Sequence, residues 1–385
     1  MTNITFITHT DGLYGANRSM LALLSEAKTH GVEPSVIVPS VGDMSQKLDE
    51  MSIPYTAAPI KQWMSKNRWK APARLGMNLL LLPRLYRQLE RWKTDIIHTN
   101  SSVTPIGAML AEVVRCPHIW HVREFGSLDY GYKHDWAQGV FEWGLSRSQR
   151  IISVSKVVKE IVLGNVTAPC SVIYNGVITE GELEKMPAQM PSAGSRDVAY
   201  TFSLLGWIRP EKGQADAIRA LAHLVHDGLN VRLLIAGTGE EAYKNEIREL
   251  VAARSLDDHV EFLGFVDDPY EVYEQSDAVL VTSTHEAMGR VTAEGMAAMR
   301  PIIGHNQAGT GELVAHEKDG LLYDGTVNDL AAKMKDLATG DPSVSARMGE
   351  EGWRKARTWF TVEGYAARVY RAMGLYSSVS AALRG

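Results

Sequence analysis

The feature that most constrains this chain is an alternation of short apolar, β-branched runs with longer helical patterns, repeated almost from end to end. Residues 4–8, 35–38, 95–98, 118–121, 151–154 and 171–174 read as strands, with helices expected at 19–29, 83–92, 105–114 and 155–162. Strands separated by helices must cross over and re-enter in the same direction, so parallel βαβ units are expected. The stretch 178–197 breaks the pattern with two prolines, two glycines and scattered polar residues, and reads as a linker. Alternation resumes with strands at 200–205, 231–236, 260–263, 278–281, 301–303 and 321–323. Helices at 214–225, 240–253, 269–275, 287–298 and 327–337 fill the gaps. Two doubly wound α/β domains are therefore expected, facing each other across a cleft between the C-terminal edges of two parallel sheets, where such sheets bind ligands.

Composition narrows the class. The chain of 385 residues is 45% apolar and 22% charged, as ordinary globular proteins are. Cys116 and Cys170 are too few for a disulfide framework and lack zinc-ligand spacing, so a reducing, cytoplasmic setting is expected. No apolar run approaches the ~20 residues that span a bilayer. The segment MTNITFITHT has no basic stretch before an apolar run, so no signal peptide is expected. The net charge of −5 hides an asymmetry: residues 1–180 carry 19 basic and 15 acidic side chains, the remainder 21 and 30. The excess is sharpest in 61–93, with nine basic residues, one acid (Glu90) and three tryptophans. Such a stretch suits an anionic membrane surface, and equally an amphipathic helix covering a sheet. Nucleic acid is not expected, because the chain is acidic overall and carries no recognition motif.

Two segments carry chemistry. In Gly206-Trp-Ile-Arg-Pro-Glu-Lys-Gly213 a strand ends and a helix begins, so free N–H groups and the helix dipole favour an anion there. Arg209 can fork onto a phosphate and Lys212 can add a point charge; a solvated turn with incidental basic residues fits the local pattern as well. In Glu286-Ala-Met-Gly-Arg-Val-Thr-Ala-Glu294, Glu286 sits in a loop above the sheet and Glu294 on the following helix. The N–H groups of Gly289, Arg290 and Val291 lie between them. One carboxylate beside a sugar, one on ribose hydroxyls and a phosphate between them is a coherent layout for a sugar nucleotide. A helix-start acid plus a surface Glu would look the same in sequence.

In order and spacing these segments resemble the group 1 (family 4) retaining glycosyltransferases of the GT-B fold. Ile4–Ser19 resembles the family's first strand and glycine loop, Asp95-Ile-Ile-His98 and Ile151-Ile-Ser-Val-Ser155 its later strands, and Glu286–Glu294 its two-glutamate signature. The resemblance implies that Arg209 and Lys212 hold the donor diphosphate, Glu294 the ribose and Glu286 sugar hydroxyls. Gly12 and Gly15 would lie near the phosphates or acceptor, and His121 would face the transferred sugar. Asn17, Arg123 and Glu124 are then candidates for the acceptor pocket. It further implies domains at 1–177 and 198–359, a linker at 178–197 that hinges closure, and a C-terminal helix within 360–385 packing back on the first domain. Two positions depart from the family pattern: Trp207 stands where an arginine is common, and Gly309-Thr-Gly311 replaces an adjacent glycine pair.

The expected function is transfer of a sugar from a nucleoside-diphosphate sugar to a glycan or lipid-linked acceptor, without cofactor or metal, in surface polysaccharide or glycolipid assembly at the inner membrane face. A nucleotide-sugar epimerase of the same fold and a non-catalytic nucleotide-sugar-binding protein are the alternatives. NAD binding is disfavoured: Gly237-Thr-Gly239-Glu-Glu-Ala242 imitates a dinucleotide fingerprint, yet Glu240 and Glu241 would repel a pyrophosphate, and Gly264 stands where an acid should. A glycosidase would need carboxyl groups on both sides of the scissile bond, and Glu286 and Glu294 share one segment.

Overall fold

A computed structural model describes residues 1–186 and 199–375. Residues 187–197 of the expected linker and 376–385 of the expected terminal segment lie outside them. The chain divides into two compact units, one made of Met1–Gly176 with the chain from Val362 onward, the other of Val177–Thr361.

Unit 1 is a seven-stranded, wholly parallel sheet of β1 (Thr2–Ile7), β2 (Val32–Val38), β3 (Tyr55–Ala57), β4 (Ile96–Thr99), β5 (His118–Val122), β6 (Arg150–Ser153) and β7 (Cys170–Val172). Their order is β3-β2-β1-β4-β5-β6-β7. The strands are apolar on both faces because helices cover both. Six lie close to the expected runs. β3 was not expected, being a three-residue edge strand with no apolar run of its own. Neither was the antiparallel pairing of Met64–Ser65 with Lys133–His134, which joins residues 68 and 70 apart.

Two of this unit's helices matter below. α1 (Gly15–Ser25) follows the loop after β1. α2 (Ala71–Trp92) begins well before the expected 83 and passes through Pro83. A proline usually marks a boundary, but Ala71, Asn78, Leu85 and Leu89 form one buried stripe across it and hold both halves on the sheet.

Unit 2 is a six-stranded parallel sheet of β8 (Tyr200–Leu205), β9 (Val231–Ala236), β10 (Val260–Gly264), β11 (Ala278–Val281), β12 (Ile302–His305) and β13 (Gly320–Tyr323), in the order β10-β9-β8-β11-β12-β13. The helices that matter below are α3 (Gln214–His226), α4 (Arg290–Ala297) and α5 (Pro342–Trp359). α4 starts later than the expected 287, because Gly289 caps it at φ +89°, outside the helical region. The chain then returns to unit 1 as α6 (Val362–Ala372). Tyr365, Ala366, Val369 and Tyr370 are fully buried in that unit's core, and the Tyr370 hydroxyl donates to the Leu23 carbonyl of α1 at 2.8 Å.

Candidate functional site

In each unit the candidate residues gather where strands end and loops begin. In unit 2 the loop after β8 is wedged between two neighbours. On one side Gly206 donates to the Ala236 carbonyl and Ile208 to the Thr238 carbonyl. A Cβ on Gly237 would sit 1.8 Å from the Gly206 oxygen, and one on Gly239 2.1 Å from the Ile208 oxygen. The glycines of the supposed dinucleotide fingerprint are thus used to let two backbones touch. On the other side the Thr282 hydroxyl donates to the Lys212 carbonyl at 2.7 Å, and Gly213, at φ +72°, lies against Thr282.

This wedging brings Arg209 and Lys212 to Glu286. The Lys212 ammonium donates to Glu286 Oε1 in a part-buried ion pair. Burial alone would raise the Glu286 pKa; Lys212, a hydrogen bond from Ser283 and the charge of Arg209 outweigh it and hold the carboxyl below its usual range. Glu286 is also seated from below: Gly309 N–H donates to its carbonyl at 2.7 Å, and a Cβ at 309 would lie 2.7 Å from that oxygen. The departure from a glycine pair therefore keeps the one glycine that the contact requires.

Beside this pair, α4 begins with no side chain capping it. Thr292 in its first turn and Thr310 opposite are fully buried, and among the described residues neither hydroxyl has a hydrogen-bond partner. Gly289 lies against both. Arg290 pairs with Glu294 at 3.1 Å, and Glu294 accepts from the Tyr273 hydroxyl at 3.3 Å. Burial and the nearby Glu294 carboxylate push the Tyr273 and Tyr270 phenols well above 10. Arg209, Lys212, Glu286, Gly289, Arg290, Val291 and Glu294 thus line one strip at the C-terminal edge of β8 and β11.

In unit 1 the Gly12 loop is held by Asn17, which is fully buried. Its amide donates to the carbonyls of Thr10 and Gly12 at 2.9 and 2.8 Å and accepts from the Thr8 hydroxyl at 2.5 Å. Gly15 opens α1. Instead of offering its amide to an acceptor, Asn17 uses all of it to shape this loop. Arg123 is likewise spent inside the fold, donating to Asn100 (2.7 Å), Asn175 (2.5 Å), His121 Nδ1 (3.2 Å) and the Tyr365 hydroxyl of α6 (2.8 Å). Glu124 accepts from the Ser101 hydroxyl and from the Ser102 N–H and hydroxyl. Burial raises its pKa against those bonds. These three candidates position the edge of the sheet.

His121 is different. A guanidinium only donates, so Nδ1 of His121 is an acceptor and the neutral ring carries its proton on Nε2. That Nε2 is buried without a hydrogen-bond partner among the described residues. Burial, then Arg123 and His98, depress its pKa well below 6.5, so the ring is neutral at physiological pH. His98 (3.3 Å from Nδ1), Asn100, Asn175 and Tyr365 were missed in sequence. Tyr365 lies 242 residues from Arg123, and no local pattern could have paired them.

The two units define a class, that of α/β enzymes of the GT-B fold. Two family models, described as "Glycosyltransferase Family 4" and "Glycosyl transferases group 1", match residues 14–180 and 186–355. The chain belongs to the group 1 glycosyltransferases. Among its relatives are an uncharacterized glycosyltransferase of Methanocaldococcus jannaschii, 30% identical over 60% of this chain and 62% of that one, and a 2-deoxystreptamine glucosyltransferase of Streptomyces kanamyceticus, 23% identical over 90% and 93%. The first of these is therefore matched over less than two thirds of its length. Anabaena HepE, solved with UDP, superposes with a TM-score of 0.77 at 20% identity over 97% of this chain and 100% of that one. Its complex with UDP-glucose gives 0.76 at 21%.

Proposed function

We propose that this protein transfers a sugar, with retention of configuration, from a nucleoside-diphosphate sugar to an acceptor hydroxyl on a glycan or lipid-linked saccharide. The observation that carries the proposal is the strip in unit 2: two basic side chains, an uncapped helix N-terminus and two buried unpartnered hydroxyls, between carboxylates at 286 and 294. A diphosphate supplies the acceptors that such a strip wants. HepE, solved with UDP and with UDP-glucose, supports a uridine nucleotide as the donor class.

In the proposed reaction the acceptor oxygen attacks the anomeric carbon from the face the diphosphate leaves. The bond from that carbon to the phosphate oxygen breaks, the diphosphate takes the electron pair, and the acceptor proton passes to a phosphate oxygen. Arg209, Lys212 and the N-terminus of α4 stabilise the charge as it develops. Glu294 binds the ribose and Glu286 holds sugar hydroxyls. In this reading Arg209, Lys212 and the N-terminus of α4 meet the charge of the diphosphate, in place of a protein-held metal.

Lys212 is ion-paired with Glu286. Donor binding draws Lys212 toward phosphate and turns Glu286 toward the sugar. A thermal-shift panel of UDP, GDP, ADP, CMP and NAD tests the site. A ligand at 100 times its dissociation constant stabilises by about 2.7 kcal/mol, and Arg209→Ala/Lys212→Ala should abolish that shift. Glu286→Gln should keep the nucleotide shift and lose about 100-fold or more in kcat. A shift with NAD alone, or unchanged turnover in Glu286→Gln, would sink the proposal.

A further inference from the structure

We propose that one end of unit 1 is a docking surface for an anionic lipid bilayer, built from the outer face of α2 and the segment hydrogen-bonded to it. The inner stripe of α2 is buried, as an amphipathic helix requires, but its outer face is not the polar one that a solvated helix shows. Leu80 is 82% exposed and Leu79 50%; Trp69, just before the helix, is 77% exposed. Single exposed apolar residues are ordinary, whereas a cluster marks an interaction site.

The cluster is larger than the basic stretch 61–93 suggests. Met64 and Ser65 pair with His134 and Lys133, and Arg74 forms an ion pair with the buried Asp135. Trp63 stacks on Trp120 and meets Phe141 at 5.4 Å. These contacts tie the 130–143 segment to the start of α2. It brings two more exposed tryptophans, Trp136 at 37% and Trp143 at 62%. Among the described residues, unit 2 exposes only three large apolar side chains, Trp207, Phe265 and Trp359, far apart in its sequence.

Charge selects the occupant. Lys66, Arg68, Lys70, Arg84 and Arg87 are exposed among these apolar groups, and Glu90 is the one acid in 61–93. The Lys70 ammonium lies 5.0 Å from the Trp69 ring centroid, so a basic head and an aromatic body are presented together. A soluble partner with an acidic face would pair with the charges and leave the leucines in water. A bilayer of anionic lipid takes both, with tryptophan at the headgroup level and leucine below it. Among the described residues no helix is long and apolar enough to cross a membrane, so the contact is with the surface. Such a surface holds an acceptor on a lipid anchor within reach of the enzyme. The docking surface itself lies outside the donor strip and does not depend on it.

The test is co-sedimentation of the full chain, without nucleotide, with vesicles of phosphatidylcholine alone or with about one third phosphatidylglycerol. Binding should be at least tenfold tighter to the anionic vesicles and fall about tenfold or more between about 0.1 and 0.5 M salt. Trp69→Ser/Leu80→Ser should weaken it about tenfold while leaving the circular dichroism and the UDP-induced thermal shift unchanged. Equal binding to both vesicle types, or full binding by the double variant, overturns the proposal. So does a dimer in size exclusion that the double variant converts to monomer, since a second copy would then be the occupant. A missing UDP shift in the parent protein would count against the donor site and leave this result intact.

Discussion

Arg123 shows how a residue beside the chemistry can act through others. Its guanidinium reaches four partners on four separate segments, so its removal takes a charged donor away from four polar groups at once. Arg123→Met should cost about 3 kcal/mol or more in denaturant unfolding. Arg123→Lys should recover less than half of that, because an ammonium cannot reproduce the fork. The same change reports on His121. Burial is the larger cause of its depressed pKa and the Arg123 charge the second. In Arg123→Met the imidazole should titrate higher than in the parent yet still below 6.5, as read by NMR of its ring protons. An unmoved His121 titration would show that the guanidinium does not set its protonation.

Loops between strand and helix are where unit 2 allows least. Gly206 and Gly237 both have positive φ, +138° and +145°, at the ends of the adjacent strands β8 and β9. They differ in space: a Cβ at 206 meets nothing within 4 Å, whereas one at 237 lies 1.8 Å from a backbone oxygen. Gly206→Ala should therefore cost only the conformational strain, about 1–3 kcal/mol. Gly237→Ala must also push two backbones apart, and should cost more than Gly206→Ala and displace Arg209 with the loop. Equal losses of stability in the two variants would refute the close approach. α4 illustrates the same economy, since its late start at Gly289 leaves Glu286 in the loop and Glu294 inside the helix.

At the scale of the whole molecule, acid should be the weak point, and unit 1 the weaker half. Burial lowers the pKa of His9 to about 4 and of His118 to about 3, and His98 and His121 lie well below 6.5. All four are neutral in the folded state, while the unfolded chain takes up their protons as pH falls below 6.5. Their contribution is thus fully present above pH 6.5 and lost on the way down to the folded values. Each histidine steepens the loss by up to about 1.4 kcal/mol per pH unit. Denaturant unfolding at pH 7.5, 6 and 5 should show a falling midpoint, with unit 1 opening first. A midpoint flat over that range would contradict burial of these rings. Removal of the chain from Val362 onward should destabilise unit 1 selectively, since α6 fills its core.

Sequence alone determined the two parallel sheets and nearly every strand, and singled out Arg209, Lys212, Glu286 and Glu294, which the fold of unit 2 brings to one strip. Those follow from short-range periodicity and from glycine, lysine and glutamate at fixed spacing, which neighbours along the chain suffice to specify. Pro83 within α2, the short β3 and the pairing of Met64–Ser65 with Lys133–His134 were not legible, because burial against distant partners overrode weak local signals. Tertiary structure also decided what each polar side chain is free to do. Arg123, Glu124 and Asn17 carry suitable groups for binding, yet their hydrogen bonds are consumed by the fold, and His121 keeps an unpartnered N–H because Arg123 occupies its other nitrogen. A hydrogen bond needs its partners within about 3 Å, and for groups as far apart in sequence as Arg123 and Tyr365 only the folded path of the chain supplies that distance.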